Sequence, residues 1–445
     1  MELKKYKKRR ITPQGWKEIT LAEVFNTSSG ATPLSTEASY YENGTIPWIN
    51  SGELASPYIY DTTNFISQAG FENSSTEIYP IDTVLVAMYG ATAGKASLLK
   101  MEACTNQAIC AILPNKDYSS TFLKYSIDTL YDHLVGLSSG SARDNLSQAE
   151  LKKLKLIMPP TKNEQNKLVS ILASIDRKIE LNRAINQNLG AMAKQLYDYW
   201  FVQFDFPNKD GKPYKSSGGE MVWNEKLKRE IPKGWNVLKL GEHCSFNKRT
   251  SNGYFNHPIL YLDTSNITNN TIDELQFLNP SSDIIPSRAR RLVQEGDIVY
   301  STVRPNLKHF GIIMNPDYNM VVSTGFAVIT ANWSAYRYFI YQFLIQAATI
   351  ENLSTIAQSA VSAYPSINTS DIENLDLVVP PDSMIEKYAK TACRLYLQID
   401  TNYKEIKSLT KLRNELLPLL MNGQVSVNSD LSVYKKGEEK SPPQF

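Results

Sequence analysis

The chain has 445 residues, and its 47 Lys and Arg nearly balance its 45 Asp and Glu, which leaves a formal net charge of +2. This length predicts roughly two to four domains, and 42% hydrophobic with 21% charged residues is typical of a globular protein and excludes a fibrous or disordered chain. Four Cys exclude a disulfide scaffold, and with four His and no CxxC or HxxxH pair a zinc site is not expected.

The first residues and the least charged stretch do not indicate export or membrane insertion. MELKKYKKRR begins with positive charge, but the apolar segment of a signal peptide does not follow it. The stretch 320–350 is interrupted by Arg337 and by polar residues such as Asn332 and Gln342. We therefore predict a buried strand and an amphipathic helix there, rather than a membrane span, and a cytoplasmic protein.

Strand signals dominate the first part of the chain. After the opening phrase ITPQGWKEITLAEVF, the apolar runs IPWIN, DTVLVAMY and ACTNQAICAIL predict strands. One amphipathic helix is predicted near Ser119–Leu137. Pro159-Pro160 then marks a boundary, because neither a helix interior nor a strand tolerates this pair well.

The segment after Pro160 predicts one long helix with a heptad seam. Apolar and Asn residues recur there at alternating spacings of four and three, and this pattern over more than four heptads is typical of a coiled coil. The seam positions are Leu168, Leu172, Ile175, Ile179, Asn182, Asn186, Leu189, Ala193, Leu196 and Trp200. The Gly-, Pro-, Ser- and Lys-rich stretch that follows predicts a linker.

The second half repeats the first. In EIPKGWNVLKLGEHC, Gly234 and Trp235 stand 219 positions after Gly15 and Trp16, and Pro380 stands 221 positions after Pro159. ILYLD, GDIVYSTV and MVVSTGFAVIT predict strands, and a helix is predicted over 334–348. Adding 220 to each seam position gives a second seam, in which eight of ten residues are apolar: Tyr388, Ala392, Leu395, Ile399, Asn402, Ile406, Leu409, Arg413, Leu416 and Leu420. Pro418 is expected to kink or end this helix near its last seam position.

These signals together predict an α+β fold with an internal pseudo-two-fold repeat. Two mixed α/β domains are joined by two long helices that pair as an antiparallel coiled coil. Each seam spans roughly 50 Å, which is comparable to the roughly 34–36 Å between the half-sites of a two-fold DNA-binding protein. The predicted segments are a first domain over 1–158, a first helix over 159–203, a linker over 204–229, a second domain over 230–379, a second helix over 380–424 and a polar tail over 425–445.

Catalytic motifs are not found. Gly90 and Gly94 resemble a phosphate-binding loop, but three residues separate them instead of four, and Ala96 follows Lys95 where Ser or Thr is needed. The phrase GLSSG at 136–140 has the spelling of a nucleophile elbow but follows a predicted helix, so it is interpreted as a helix stop. Neither an Asn nor an Asp precedes a Pro-Pro pair, as an amino-methyltransferase would require. We predict no catalytic residue, no metal site and no bound cofactor.

Basic and amide side chains near aromatic residues are the more informative signal. Arg can bridge guanine O6 and N7, Asn can bridge adenine N6 and N7, and Lys can hold phosphates. The loop after DTVLVAMY, the phrase SGSARDNLS, the loop before GDIVY and the loop after it carry such residues. The candidate DNA-contacting residues are Tyr89, Lys95, Arg143, Asn145, Arg288, Arg290, Arg291, Arg304, Asn306 and Lys308. The alternative for each is a solvated loop charge, and the basic cluster from Lys4 to Arg10 is interpreted as a solvated tail.

The order of variable domain, long helix, variable domain and long helix resembles the DNA specificity subunit of a type I restriction-modification system. The resemblance covers roughly residues 11–425 and rests on the openings Thr12-Pro13-Gln14-Gly15-Trp16 and Ile231-Pro232-Lys233-Gly234-Trp235, on the closing Pro-Pro pairs, and on YDYWFVQFDFPNKDGKPYKSSGGEMVW between the halves.

This resemblance implies that each globular domain is a target recognition domain for one half of a bipartite, asymmetric sequence in double-stranded DNA. It implies that the helices dock two methyltransferase (modification) subunits and that ATP-dependent restriction subunits join the complex. The chain itself would be non-catalytic, and S-adenosylmethionine, ATP and magnesium would belong to its partners. Arg413 departs from the seam, which predicts loosened packing there or a contact with a partner subunit.

Two other hypotheses stay open at the level of sequence. An enzyme with an unrecognised motif would require a methyl donor or a metal in the purified chain. A coiled-coil scaffold with two protein-binding domains would bind no DNA, and the duplicated but diverged domains favour DNA recognition over this scaffold.

Overall fold

The computed structural model of the chain describes residues 12–139, 145–359 and 365–425. Contacts divide these residues into two compact units. The first unit contains the residues up to Leu181 and those from Glu405 onwards, and the second contains Asn182–Lys404. Both divisions fall inside the long helices, so each helix contributes one part to each unit. The segment boundaries placed at the Pro-Pro pairs remain predictions, because these units are defined by contacts alone.

The first unit combines short strands with short helices and the beginning of the first long helix. Its strands are β1 Lys17–Thr20, β2 Thr27–Ser29, β3 Ile46–Ile49, β4 Tyr58–Ile59, β5 Phe65–Ile66, β6 Val84–Ala87, β7 Ala96–Leu99, β8 Cys104–Thr105, β9 Ile109–Ile112 and β10 Lys155–Met158. Its helices are α1 Leu21–Val24, α2 Gln68–Glu72, α3 Ser120–Asp128, α4 Tyr131–Ser139, α5 Gln148–Lys152 and α6 Lys162–Tyr197, of which α6 continues into the second unit.

Two sheets and one strand pair build the first unit. The larger sheet has the order β2-β9-β6-β7-β4, and the smaller one has the order β5-β3-β8, with β3 and β8 parallel. All four residues of β6 are buried, which explains why this central strand is a continuous apolar run in the sequence. The antiparallel pair β1–β10 joins the opening phrase to the residues before Pro159.

The second unit repeats this plan with more strands. They are β11 Met221–Asn224, β12 Arg229–Pro232, β13 Asn236–Lys239, β14 Cys244–Phe246, β15 Ile259–Leu262, β16 Ile267–Thr268, β17 Thr271–Ile272, β18 Gln276–Leu278, β19 Ala289–Leu292, β20 Ile298–Ser301, β21 Phe310–Ile312, β22 Met320–Ser323, β23 Phe326–Ala331 and β24 Asp376–Val379. Its helices are α7 Tyr336–Leu344, α8 Ala347–Ser359, α9 Thr369–Glu373 and α10 Asp382–Met421, of which α10 ends in the first unit.

The strands that the two units share follow one order, although in the described residues the second unit has no equivalent of β4 in the sheet that contains β20, and its other sheet gains β19. One sheet has the order β14-β23-β20-β21, and the other has the order β18-β15-β22-β19, with β15 and β22 parallel. The pair β13–β24 joins the second opening phrase to the residues before Pro380, as β1–β10 does in the first unit. The predicted repeat is therefore confirmed at the level of strand topology.

The long helices begin where the sequence predicts. After Pro160, Thr161 and Glu164 form a reciprocal cap, in which Glu164 N–H donates to Thr161 Oγ1 and Thr161 N–H donates to Glu164 Oε2, both at 3.2 Å. A short π-helical turn over Asp198–Val202 follows α6. Helix α10 passes through Pro418 and ends at Met421, one residue beyond the last predicted seam position.

The predicted seam is confirmed, since all twenty of its positions are buried or half-buried. In the first unit, the start of α6 packs against the end of α10, and Leu168, Leu172 and Leu420 share one core. In the second unit, the end of α6 packs against the start of α10, and Asn402 Nδ2 donates to Asn186 Oδ1 at 2.8 Å. Both contacts have the antiparallel sense that the repeat predicts.

Arg413 pairs with a buried carboxylate of the first unit, so its seam position is filled without loosened packing, and its predicted contact with a partner subunit stays a prediction. Its Nη1 donates to Asp176 Oδ1 at 3.1 Å, and Asp176, which is 1% exposed, accepts a second hydrogen bond from the Tyr125 hydroxyl at 2.6 Å. The buried carboxylate thus satisfies the seam Arg from within the first unit. The same carboxylate adds to burial in holding the pKa of Tyr125 far above its usual value.

Other sequence predictions differ from the structure in detail. Each helix predicted late in a domain is two consecutive helices, α3 with α4 and α7 with α8. The predicted linker 204–229 is folded, because Phe206 is buried and stacks on Tyr214 and Trp235, and β11 pairs with β12. Among the described residues, none of the helices is both long and apolar enough to cross a membrane.

Candidate nucleic-acid interface

Polar loops meet at one edge of the second unit. Thr302 N–H donates to Gly325 O at 2.9 Å, and Thr324 N–H donates to Arg288 O at 2.9 Å. Arg304 N–H donates to Pro365 O at 2.9 Å, which brings the chain after α8 to the same edge. We call this surface the second rim, and it comprises Asp263–Asn266, Arg288, Thr302–Lys308, Thr324–Gly325 and Pro365–Ile367.

The loop between β20 and β21 presents three of the predicted residues. Arg304, Asn306 and Lys308 are all exposed there. Arg304 and Lys308 have φ angles of 48° and 59°, in the left-handed region that costs a residue other than glycine about 1–3 kcal/mol. Backbone bonds hold this shape, since Leu307 N–H donates to Arg304 O at 2.9 Å and Asn269 N–H donates to Lys308 O at 3.0 Å. The loop is therefore preformed and aims its basic side chains outward.

Two of the three clustered Arg, Arg290 and Arg291, lie in a strand and not in a loop, whereas Arg288 lies in the turn before it. Ala289–Leu292 forms β19, an edge strand paired with β22, and a bulge at Arg290 separates two of its pairs. Arg290 Nε donates to Ser287 O at 2.9 Å and its Nη1 donates to Asn252 O at 3.0 Å. Arg291 is half-buried, and burial lowers its guanidinium pKa below the usual value. Arg288 and Arg290 are both exposed, but the Arg290 guanidinium is bonded to loop carbonyls and that of Arg291 is partly buried.

A matching set of loops meets at one edge of the first unit. Met88 N–H donates to Ala108 O at 2.8 Å, and Leu146 N–H donates to Met88 O at 3.0 Å. Thr92 Oγ1 donates to Ser51 O at 2.9 Å. We call this surface the first rim, and it comprises Asn50–Ser51, Tyr89–Lys95, Asn106–Ala108 and Asn145–Leu146.

The first rim contains three of the four residues predicted for the first domain. Tyr89 is 37% exposed at the start of a tight turn in which Gly90 and Gly94 have φ angles of 75° and 83°. Lys95 and Asn145 are half-buried at the same edge. The turn shape agrees with the interpretation of this glycine motif as a turn. Arg143 lies outside the described residues.

Two Asn residues of the first rim were not predicted. Asn50 and Asn106 directly follow the parallel strands β3 and β8, and Asn106 Nδ2 donates to Asn50 Oδ1 at 3.2 Å. Asn106 Oδ1 accepts from Ala108 N–H at 3.1 Å, so its amide is held in one orientation. The signal available in the sequence was an Asn directly after a predicted strand, at the end of IPWIN and within ACTNQAICAIL.

The two rims differ in charge. The second rim carries the exposed cations Arg288, Arg304 and Lys308, and Asp263 is its carboxylate. In its described part, the first rim carries Lys95 and otherwise uncharged side chains, mainly amides and hydroxyls. Cationic and amide groups of this kind suit hydrogen bonding to phosphates and to base edges.

Reactive groups are not gathered at either rim. In the ranges that the structure describes, no three His, Cys, Asp or Glu side chains are placed to hold a metal ion. Burial raises the pKa of the Cys104 thiol to about 11 and those of Cys110 and Cys244 to about 12. These thiols are therefore protonated at neutral pH and are poor nucleophiles.

Helix α6 has a second apolar stripe on its outward face. The stripe recurs with the spacings of a heptad and consists of Leu181, Ile185, Met192, Tyr199 and, just past the helix, Val202, with exposed fractions between 36% and 53%. A buried seam explains one face of a helix, but a second apolar face left in solvent indicates an interaction surface. We call these five residues the outer stripe.

Comparison with known proteins gives consistent similarities. The family model described as the type I restriction modification DNA specificity domain matches the chain twice, over residues 13–191 and 232–411. The chain is 28% identical over 430 residues to the type I restriction enzyme MjaIX specificity subunit of Methanocaldococcus jannaschii, covering 93% of this chain and 94% of that protein. It is 23% identical over 201 residues to the EcoR124I/EcoR124II specificity subunit of Escherichia coli, covering 44% of this chain and 49% of that protein.

One solved structure supports the fold. The crystal structure of the S subunit of a type I restriction-modification system from M. genitalium matches with a TM-score of 0.52 and 16% identity, covering 91% of this chain and 96% of that chain. The two family matches fall on the two repeats that the sequence and the strand orders define independently.

Proposed function

Because two matches of the family model cover most of its length, the chain belongs to the type I restriction modification DNA specificity family, and we propose that it is the subunit that selects the DNA target of such a system. Each unit recognises one half of a bipartite sequence in double-stranded DNA. The observation that carries this proposal is the pair of rims, which occupy matching places in two folds of equal strand order.

The target is asymmetric because the rims differ. The second unit contacts DNA through Arg288, Arg304, Asn306 and Lys308, of which Lys308 contacts phosphate. The first unit contacts it through Tyr89, Lys95, Arg143 and Asn145, together with Asn50 and Asn106. Arg290 and Arg291 are left out of this set, because their guanidinium groups serve the backbone or the interior of the second unit.

The chain organises the complex and performs none of its chemistry. The thiols of Cys104, Cys110 and Cys244 are protonated at neutral pH, and in the part of the chain that the structure describes no three His, Cys, Asp or Glu side chains are placed to hold a metal ion. Two modification subunits supply adenine methylation, which requires the base to leave the duplex, and restriction subunits supply ATP-dependent cleavage. The methyl donor, ATP and magnesium belong to these partners, and this chain binds no cofactor.

The outer stripe is the proposed docking surface for a modification subunit. Its residues are apolar, recur in heptad register and are exposed over about six turns of helix. A partner helix packed along it would complete the burial that α10 gives the opposite face. A scaffold without a DNA role would use the same stripe. The rims, and not the stripe, therefore favour the DNA specificity subunit over the scaffold.

The proposal is tested by mapping methylated adenines in the host genome by single-molecule sequencing, with and without this gene. We expect one bipartite, asymmetric methylated sequence to disappear when the gene is deleted and to return when it is restored together with its modification subunits. An unchanged methylation pattern in both strains, with the modification subunits present, contradicts the proposal and favours the scaffold.

A further inference from the structure

We propose that Arg288 and Asp263 together select one G·C base pair in the half of the target that the second unit recognises. This inference rests on the proposed function and adds to it the base that one site requires. It also separates Arg288 from Arg290 and Arg291, which lie within three residues of it and carry the same charge.

The backbone of Arg288 is held in place, and its guanidinium is exposed. Its carbonyl accepts from Thr324 N–H at 2.9 Å, and the next residue, Ala289, is fully buried in β19. The side chain is exposed, and within the described residues its guanidinium makes no hydrogen bond or ion pair. A donor group mounted on a rigid strand end is the arrangement that positions a side chain for recognition at low entropic cost.

Asp263 supplies a carboxylate at the same rim. The turn that Asp263 begins packs against the loop carrying Thr324, since a Cβ added at Gly325 would lie 2.9 Å from Thr264 Cγ2. Asp263 Oδ1 accepts from Thr264 N–H at 2.8 Å, which holds the carboxylate at the rim. The Tyr261 hydroxyl donates to Asp263 Oδ1 at 3.5 Å. Burial and then the Asp263 charge raise the pKa of Tyr261 and the Arg288 charge lowers it, which places both charges near this hydroxyl.

This pairing of charges distinguishes a base edge from a phosphate. A carboxylate next to Arg288 repels phosphate oxygens and weakens a purely electrostatic backbone contact. In the major groove, guanine offers the two acceptors O6 and N7, which match the guanidinium fork, and its paired cytosine offers an N4 donor, which matches a carboxylate. Arg288 and Asp263 thus complement both halves of a G·C pair, whereas Lys308 has no such neighbour and suits phosphate.

The test expresses the full chain with its modification subunits in a host without other adenine methylation, and the methylated sequence is then determined by single-molecule sequencing. The variants are Arg288→Gln, Arg288→Lys and the matched control Arg290→Gln. In Arg288→Gln, one G·C position in one half-site becomes degenerate, with about a 5- to 150-fold loss of discrimination. Arg288→Lys keeps the charge and loses the bidentate fork, so it shows the same degeneracy.

The control and the remaining variant identify the kind of contact. Arg290→Gln leaves the sequence preference unchanged, and Lys308→Gln lowers methylation evenly at all sites. Three results would overturn the inference: an unchanged preference in Arg288→Gln, an even loss of methylation at all sites in that variant, or a second half-site without a G·C pair. A wild-type chain that directs no bipartite methylation contradicts the proposed function itself, and the two failures are therefore distinguishable.

Discussion

The two recognition units have the same strand order, but different side chains occupy the matching places. In both units the first strand after the opening phrase pairs with the last strand before a Pro-Pro pair, and a parallel strand pair leads to the rim. At the end of the first parallel strand stand Asn50 in the first unit and Asp263 in the second, and each precedes a short 3-10 turn. The fold and the proposed specificity thus depend on different residues: buried strand positions define the fold, and the residues just past each strand form the proposed recognition surface.

An added strand makes the largest difference between the rims. In the second unit, β19 extends the sheet beside β22 and places Arg288 at its exposed end. In the first unit, a single bridge between Tyr79 and Ala103 stands in this place. Near this bridge, Thr76 is buried and donates its hydroxyl to Thr105 O at 3.1 Å. A short edge strand can therefore add a recognition residue without changing the core.

The contacts between the two long helices also differ between the units. Arg413 pairs with Asp176 in the first unit, and Asn402 bonds to Asn186 in the second. Asp176→Ala removes the carboxylate that both Arg413 and Tyr125 require in the first unit. We expect the free energy of unfolding to fall by about 3 kcal/mol, because the buried Tyr125 hydroxyl and the half-buried Arg413 guanidinium both lose this acceptor. Thermal melting of the chain in complex with its modification subunits measures this, and Asp176→Asn, which keeps an acceptor, should lose less. Equal melting temperatures for wild type and Asp176→Ala would show that the pair contributes nothing.

The outer stripe gives α6 an exposed apolar face in addition to its buried seam. Met192→Asp places a charge on the exposed stripe and leaves the buried seam intact. We expect the affinity for a modification subunit to fall by about 2 kcal/mol, or roughly thirty-fold, because the charge must be desolvated in an apolar contact. Analytical ultracentrifugation of the mixed subunits measures the affinity. The control Ala191→Asp puts the same charge on the adjoining exposed position, and an equal loss in both variants would contradict docking through the stripe.

The first rim presents amides where the second rim presents cations, and the amides can be tested in the same way. Asn106→Ala removes an amide that Asn50 and the Ala108 backbone hold in place. We expect discrimination at one A·T position of the other half-site to fall by about 1–2 kcal/mol, since an amide bridges adenine N6 and N7. Sequencing of methylated sites detects this change, and Asn73→Ala, an exposed amide on α2's end, is the control. A change at a position in the half recognised by the second unit would contradict the assignment of Asn106 to the half recognised by the first unit.

The smallest effect is expected at the amide pair of the second unit. Replacing both partners at once, in Asn186→Leu with Asn402→Leu, removes a buried hydrogen bond without leaving either group unsatisfied. Because both polar groups disappear together, the free energy of unfolding should change by less than about 1 kcal/mol. Either single variant should be the more destabilised, and the melting temperatures of the three proteins test this order.

Periodicity made much of this molecule predictable. Both seams and the strands in IPWIN, DTVLVAMY, ILYLD and GDIVY follow from apolar spacing alone, because burial repeats with the geometry of the helix or strand. Strand β19 was missed because Arg290 and Arg291 interrupt its apolar pattern. The break between α3 and α4 was missed because both lie inside one continuous amphipathic pattern.

Contacts between distant residues were not predictable. Asn50 and Asn106 meet only because β3 pairs in parallel with β8, and no local pattern gives that pairing. Arg413 is an anomaly in its own helix and is explained only by Asp176, which stands 237 positions earlier in the chain. The candidate site was therefore predicted as a set of loops, while the distinction between Arg288 and its neighbours Arg290 and Arg291 required the structure.

The claim that each unit recognises its own half of the target is tested most directly by exchanging residues 230–379. The replacement segment comes from a family member with a different methylated sequence, and the chimaera is expressed with the original modification subunits. Single-molecule sequencing should then show one half of the methylated sequence replaced by that of the donor, with the other half unchanged. A change in both halves, or in neither half of a chimaera that still directs methylation, would contradict the account.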